Sequence, residues 1–137
     1  MRLIAVIDDE RLICDFVADA LCDLPAEVHC AVTGYAGAAL LRSRGFDLAL
    51  IDVILPDVSG LSLARAAANE NTPSIMVSGH PGAAMKCHEF GFHFVSKPFG
   101  VADLTKEAAQ VLADNRAALR RVREAAAKML AKAKPGR

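Results

Sequence analysis

Five polar or charged residues stand where apolar runs of strand length end. Asp8 and Asp9 follow LIAVI, Asp52 closes FDLALI, Ser78 ends SIMVS and Lys97 follows FHFVS. Carboxylates that lie close together repel one another unless a cation neutralises them, and hard oxygen ligands suit Mg²⁺. A lysine and a serine hydroxyl would hold a tetrahedral oxyanion beside them. The chemistry that these residues support is attack by an aspartate carboxylate on phosphorus, giving an acyl phosphate.

A parallel sheet would bring these residues together, because the carboxyl ends of its strands meet at one edge. The apolar runs predict strands over 3–7, 28–32, 46–51, 74–78 and 92–96. Spacings of three and four between apolar residues predict helices over 11–24, 36–43, 59–69, 82–90 and 101–132. Strands that alternate with helices indicate βαβ units and a doubly wound α/β sheet.

Each of these residues also has a simpler explanation. Asp8 and Asp9 could stabilise the N-terminus of the helix over 11–24. Ser78 could be a turn hydroxyl and Lys97 a surface charge. Their common position at strand ends favours a shared site over these alternatives. Asp57, however, lies in the turn-like stretch PDVSG, where an Asp is expected to bind local backbone amides, and we predict no catalytic role for it.

Residues 1 to about 114 resemble the response-regulator receiver domain of two-component signalling. The resemblance rests on IDDE, LIDVILPDVSG, MVSGH and VSKPF, which stand in the family's order and spacing. It implies a flavodoxin-like five-stranded parallel sheet with strand order 2-1-3-4-5. It also implies phosphotransfer from the phosphohistidine of a sensor kinase or a histidine phosphotransfer protein, with Mg²⁺ as cofactor.

The resemblance assigns a role to each acid at the strand ends. Asp52 matches the phosphoacceptor of the family. Asp8 and Asp9 match the pair that binds Mg²⁺ together with Asp52, and the backbone carbonyl of Ile54 matches a further ligand.

The remaining motif residues carry over in the same way. Ser78 matches the hydroxyl that grips the phosphoryl group, and Lys97 matches the family's lysine. Phe94, three residues before Lys97, matches the aromatic switch. The resemblance also implies a cis peptide bond between Lys97 and Pro98.

Three positions differ from the commonest family pattern. Ser78 stands where threonine is commoner, which preserves the hydroxyl donor. Ile54 is apolar where many members place a polar side chain, and His80 holds the matching position on the other side. Both positions tune the lifetime of the phosphoryl group in the family. The hypothesis is that Ile54 shields the acyl phosphate from water while His80 orients water and opposes that effect.

Composition describes one compact domain without a membrane segment. The chain has 137 residues, 53% of them hydrophobic, and no apolar run approaches the roughly 20 residues that a membrane helix needs. The four cysteines form no CxxC motif, so we expect reduced, mostly buried thiols in a cytoplasmic protein: Cys14, Cys22, Cys30 and Cys87.

The net charge of zero conceals a strong asymmetry. Residues 115–137 hold eight Lys or Arg and one Glu, a net charge of +7, which leaves −7 on the first 114 residues. We therefore divide the chain into a receiver domain, 1–114, and a basic C-terminal helical extension, 115–137. A coiled-coil dimer through 101–132 is one use of the extension, with a seam of small and apolar residues: Ala108, Val111, Asn115, Ala118, Val122, Ala125 and Met129. Nucleic-acid binding is disfavoured because aromatic residues and a helix-turn-helix pattern are missing. Contact with the acidic body of the same chain and a solvated extension are the other uses.

The sequence predicts a stand-alone receiver similar to the chemotaxis regulators, which binds an unidentified downstream protein when phosphorylated. It is a regulatory domain rather than an enzyme, although it promotes its own phosphotransfer and dephosphorylation. Acids along the first predicted helix, at Asp15, Asp19 and Asp23, are either a solvated face or a kinase contact. The alternative function is an unphosphorylated interaction module that works through its basic helix. A phosphatase of the haloacid-dehalogenase type is excluded because Ile54 stands where its second acid is needed.

Overall fold

The computed structural model describes residues 1–133; in the last helix, the side chains of 115–123 and of 132 and 133 lie outside the description. Five strands, β1 to β5, alternate with five helices, α1 to α5. The strands are Arg2–Ile7, Ala26–Ala31, Leu48–Asp52, Ser74–Ser78 and His93–Ser96. The helices are Arg11–Ala20, Gly34–Ser43, Gly60–Asn69, Ala83–Glu89 and Val101–Ala133.

The strands form one parallel sheet in the order β2-β1-β3-β4-β5, which confirms the predicted doubly wound fold. Alternate residues of each strand point to opposite faces. In β1, Ile4 and Val6 pack with α1 and α5 on one face, while Ala5 and Ile7 pack with α2, α3 and α4 on the other. The two apolar layers hold the sheet between helices on both sides, so its strand ends are firmly positioned.

Most element boundaries agree with the sequence, and the exceptions have local causes. Helix α1 ends at Ala20 rather than near residue 24, because the chain turns there and the amide of Leu21 closes the last turn on the carbonyl of Val17. Helix α2 begins earlier than predicted, at Gly34, because the Thr33 hydroxyl accepts a hydrogen bond from the amide of Ala36 at 3.0 Å.

The C-terminal helix is confirmed as one continuous element, and its first part packs on the domain. Leu104, Ala108, Val111 and Leu112 are buried against the sheet. The predicted coiled-coil seam is therefore wrong at Ala108 and Val111, because this chain's own core already covers them. Farther along that seam, the side chains of Asn115, Ala118 and Val122 lie outside the described residues, and those of Ala125 and Met129 are exposed.

All four cysteines are free thiols, as predicted, yet only two of them are buried. Burial raises the pKa of Cys87 and raises that of Cys14 to about 12. Cys22 lies in the turn after α1 and Cys30 on the edge strand β2, where both are exposed. The prediction of burial is wrong for these two, because a turn beyond α1 and an edge strand are covered less than the centre of the sheet.

Candidate functional site

The carboxyl ends of four strands converge at one edge of the sheet and bring the predicted residues together. Asp8 follows β1, Asp52 ends β3, Ser78 ends β4 and Lys97 follows β5. Asp8, Asp52 and Ser78 are buried. Burying polar side chains costs free energy unless they find partners. The arrangement of donors around them therefore decides what the site can do.

Lys97 is the central cation of this edge. Its Nζ lies 3.0 Å from Oδ2 of Asp8 and 3.1 Å from Oδ2 of Asp52, with Oε1 of Glu10 at 3.5 Å. Burial alone would lower the pKa of Lys97, but hydrogen bonds and attraction from Asp8 and Asp52 outweigh it and raise the pKa. The lysine thus stays charged and offsets part of the repulsion between the two buried carboxylates.

The backbone of Lys97 is fixed independently of its side chain. Its amide donates to the carbonyl of Ser78 at 3.0 Å, continuing the pairing of β4 with β5. The peptide bond between Lys97 and Pro98 is cis, as the resemblance implies. The side chain is thereby anchored at the end of β5, facing the carboxylates of β1 and β3.

Asp8 occupies the most enclosed acidic position of the edge. Its side chain is 3% exposed, and its Oδ1 accepts a hydrogen bond from the amide of Glu10 at 2.9 Å. Burial raises the pKa of Asp8 and outweighs the opposing effects of the Glu10 amide and of Lys97. A second cation beside this carboxylate would therefore stabilise its charged form.

Three carboxylates are placed to receive such a cation. Oxygens of Asp8, Asp9 and Asp52 all lie within 4.8 Å of one another, with Asp9 exposed at the mouth of the cluster. All-oxygen donors open to water on one side are what Mg²⁺ takes in proteins. The residues present therefore fit this ion. Oδ1 of Asp52 also accepts from the amide of Ile54 at 3.1 Å, which turns the loop after β3 toward the acids.

Ser78 and His80 lie at the end of β4. Oγ of Ser78 accepts from the amide of His80 at 3.0 Å, which leaves the hydroxyl hydrogen of Ser78 available to donate elsewhere. The exposed His80 ring lies with Nδ1 2.8 Å from the Pro81 carbonyl, so this nitrogen carries the proton. The loop that leads to α4 is thus tied to the buried serine.

The other two residues singled out in the sequence lie at the border of the site. Ile54 is 55% exposed on the loop after β3, close to Asp52 in the chain. Phe94 is half-buried on β5 and packs with the apolar layer under α2, α3 and α4. The structure places both residues near the site; their roles in lifetime and switching stay predictions.

Two acids near the site have partners that the sequence pattern does not show. Glu10 reaches Lys97, although it follows Asp9 without any motif of its own. Asp57 accepts from the amides of Gly34 and Tyr35 at 2.8 and 2.9 Å and so caps the start of α2. These hydrogen bonds, the Tyr35 amide above all, lower the pKa of Asp57. Its loop is therefore tied to a helix 23 residues earlier, beyond the local turn bonds expected from PDVSG.

A parallel β2-β1-β3-β4-β5 sheet that gathers three aspartates, a serine and a lysine at its carboxyl edge defines a phosphoacceptor class of α/β domain. Residues 4–109 match the family model of the response regulator receiver domain. The chain belongs to this family.

Relatives and solved structures agree with this assignment. The chain is 29% identical over 109 residues to the transcriptional regulatory protein CusR of Escherichia coli K12, covering 76% of this chain and 48% of CusR. It is 27% identical over 104 residues to the uncharacterized transcriptional regulatory protein YcbL of Bacillus subtilis strain 168, covering 73% and 46%. The chain therefore spans about half the length of these curated relatives.

Two solved structures give the same fold. A CheY-like receiver domain protein from Methanospirillum hungatei JF-1 has a TM-score of 0.77 at 27% identity, covering 85% of this chain and 97% of that one. The chemotaxis protein CheY4 of Vibrio cholerae has a TM-score of 0.72 at 25% identity, covering 81% and 98%. Within the described part of this chain, none of the helices has the length and apolarity to cross a membrane.

Proposed function

We propose that Asp52 accepts a phosphoryl group from the phosphohistidine of a sensor kinase or a histidine phosphotransfer protein. The observation that supports this most directly is the pairing of Asp52 with Lys97 at 3.1 Å beside Asp8 and Asp9. A buried carboxylate that sits among other acids at a strand end serves no packing purpose. The proposed product is a phosphorylated surface that a downstream protein recognises.

In the transfer step, an oxygen of Asp52 attacks phosphorus while the bond from phosphorus to the donor imidazole nitrogen breaks. The imidazole keeps the electron pair, and Asp52 becomes an acyl phosphate. Lys97, 3.1 Å from Asp52, would face the oxygens on which negative charge accumulates. The O–H of Ser78, at the end of the neighbouring strand β4, is proposed to donate to one of them. Lys97 is already held between Asp8 and Asp52 before the reaction, which lowers the cost of reorganisation.

We propose Asp8, Asp9, Asp52 and the backbone carbonyl of Ile54 as the residues that hold Mg²⁺. When bound, the ion neutralises charge between the carboxylates and the transferred phosphoryl oxygens. Asp8 would be held in its charged form, since burial disfavours that form in the absence of a cation.

Phosphorylation is proposed to act on the loop before α4. If the Ser78 hydroxyl turns toward the phosphoryl group, its bond with the His80 amide weakens, and the segment 79–82 is released. Helix α4 is only seven residues long, and Gly82 before it has φ 84° and offers no side-chain cap. Such an element moves at low cost. Phe94 would then pack closer to β4 and turn the change into a new partner surface.

The division into a receiver domain, 1–114, and a basic extension, 115–137, stays part of this proposal. The receiver is regulatory: it supplies groups that assist transfer and later hydrolysis of its own phosphoryl group, with Ile54 and His80 setting the rate of hydrolysis. A cytoplasmic location, where sensor kinases present their phosphohistidine, also stays a prediction.

Incubation with acetyl phosphate and Mg²⁺, followed by intact mass measurement, tests the proposal. We expect one phosphoryl group on the wild type and on Asp57→Asn, none on Asp52→Asn, and none on the wild type in EDTA. Asp57 is the matched control because it is a carboxylate five residues away with other partners. Absence of an adduct on the wild type would contradict the proposal and favour an unphosphorylated interaction module.

A further inference from the structure

The C-terminal helix extends far beyond the domain that it belongs to. Leu112 is the last buried residue among those whose side chains the structure describes, and the helix continues to Ala133. At 1.5 Å per residue this leaves roughly 30 Å of helix past the core. A continuous helix of this length cannot fold back on its own domain. Residues 124–131 are exposed, so this part offers a surface that its own chain does not cover.

This projecting segment combines positive charge with an apolar pattern. The three- and four-residue spacing that buries Leu104, Ala108 and Val111 continues in the sequence at Leu119, Val122 and Met129. Met129 and Leu130 are 71% and 72% exposed. Eight of the last 23 residues are Lys or Arg, against a single Glu. An amphipathic basic helix of this kind binds an apolar groove with acidic sides.

The domain has such a groove between α1 and the loop before α5. It measures about 500 Å³, and its apolar lining consists of Leu12, Ile13, Phe16, Pro98 and Phe99. Leu12 is 79% exposed and extends this apolar lining to the surface, so the groove and its edge form one contiguous apolar patch.

Acids lie along the α1 side of this groove. At one end of the groove the lining is charged but balanced, since Glu10 lies 3.5 Å from Nζ of Lys97. Along the outer side of α1, Asp15 and Asp19 are exposed one turn apart, against a single basic residue of that helix, Arg11. The first 114 residues carry −7 and the last 23 carry +7. The basic C-terminal helix of this chain has the charge and the apolar residues that match the groove. Because it projects away from its own domain, it can reach only the groove of a second copy.

We propose that the projecting helix of one copy lies in the α1 groove of a second copy, and that the reciprocal exchange forms a two-fold dimer. In such an isologous dimer each groove binds the helix of the other copy, so no groove or helix is left to bind a third copy. A parallel coiled coil of the two extensions fits less well. It would bring two segments of +7 together, and only about three heptads remain between Val111 and the end of the helix at Ala133, the shortest length at which a coiled-coil pattern is expected. The inference does not depend on phosphorylation.

Sedimentation velocity of the full chain at several concentrations tests the exchange. We expect a dimer at about 0.1 M salt whose Kd rises about tenfold or more toward 1 M, because the Debye length falls from about 10 Å to about 3 Å. Asp15→Lys/Asp19→Lys should weaken the dimer at low salt by a similar factor. Glu70→Lys/Glu89→Lys is the matched control, since it makes the same charge change at exposed acids just after α3 and at the end of α4 and should leave the dimer intact.

A charge exchange makes the test specific. Arg116→Asp/Arg120→Asp should also weaken the dimer, and combining it with Asp15→Lys/Asp19→Lys in one chain should restore it. Circular dichroism verifies that each variant is folded. A wild type that is monomeric at low salt overturns the proposal, whether or not it sediments with DNA or with anionic vesicles. A dimer that Asp15→Lys/Asp19→Lys leaves unchanged also overturns it. The same holds for a dimer that the Glu70→Lys/Glu89→Lys control weakens equally.

Discussion

Asp57 accepts a hydrogen bond from the amide of Gly34 at 2.8 Å and thereby joins the loop after β3 to the start of α2. The approach is close: a Cβ on Gly34 would collide with the Val58 side chain and lie 2.9 Å from Oδ1 of Asp57. The carboxylate thus caps two amides that a helix N-terminus leaves without intrahelical partners. The loop that carries Ile54 is therefore attached, through Asp57, to the N-terminus of α2.

The first prediction concerns this cap. Asp57→Ala should lower the melting temperature at neutral pH, because the amides of Gly34 and Tyr35 lose their acceptor. The folded chain holds the pKa of Asp57 below its usual 3.8, so its contribution is present above that value and is lost as the pH falls through the folded pKa. Thermal melts from pH 7 downward should therefore show that the difference in melting temperature between wild type and variant becomes smaller in acid.

Glu70→Ala is the control for this series. Glu70 is an exposed acid after α3, and its removal should leave the melting temperature nearly unchanged at every pH. A gap for Asp57→Ala that stayed constant down to acid pH would show that the cap acts through something other than its charge.

A second prediction concerns Gly60, the first residue of α3, which lies in close contact with the end of β3. A Cβ on Gly60 would collide with the backbone carbonyl of Asp52, which cannot rotate away as a side chain can. We expect Gly60→Ala to lower the free energy of unfolding by about 1–3 kcal/mol. It should also slow phosphorylation by acetyl phosphate, because the shift falls on Asp52 itself.

Gly45→Ala is the matched substitution, because nothing lies within 4 Å of a Cβ at that position. Urea denaturation should place it within about 0.5 kcal/mol of the wild type. If Gly60→Ala unfolded at the same urea concentration as Gly45→Ala, the close packing of α3 on β3 would be wrong.

The sequence predicted most of what regular periodicity determines. Strand ends could be located because apolar runs stop at them, and once the sheet was parallel Asp8, Asp52 and Lys97 had to meet at one edge. The family motifs supplied their roles. What the sequence did not reveal are contacts between elements that are distant along the chain and share no pattern. The Asp57 cap and the reach of Glu10 to Lys97 are of this kind, since each depends on how two loops happen to approach in space.

The third prediction concerns the metal. Mg²⁺ at about ten times its Kd should raise the free energy of unfolding by about 1.4 kcal/mol relative to an equal ionic strength of NaCl. Asp9→Asn should remove most of this gain while leaving the metal-free protein folded, because Asp9 is exposed and its oxygen serves only the cluster. Urea denaturation with Mg²⁺ or with EDTA measures both values.

Asp15→Asn controls for the loss of one negative charge, since Asp15 is also exposed but lies on α1 away from the cluster. It should keep the full stabilisation by Mg²⁺. Equal stabilisation of wild type and Asp9→Asn would remove Asp9 from the metal site.

The last prediction concerns how long the phosphoryl group survives. Ile54 is 55% exposed on the loop beside Asp52, and the shielding hypothesis is that its side chain keeps water from the acyl phosphate. Ile54→Asn removes this shielding and adds a group that can orient water, so autodephosphorylation should become faster. A tenfold increase would correspond to about 1.4 kcal/mol in the barrier. Phosphoryl loss is followed by intact mass after the donor is removed.

Two further variants separate shielding from other effects. Met85→Asn replaces an apolar residue on α4 that is also exposed, at 75%, and should leave the rate unchanged. His80→Ala should slow the loss, because the His80 ring, with Nδ1 held by the Pro81 carbonyl, keeps its other nitrogen free to orient a water. An unchanged rate in Ile54→Asn would contradict shielding. If autodephosphorylation were slower only in His80→Ala, His80 and not Ile54 would control the lifetime of the phosphoryl group.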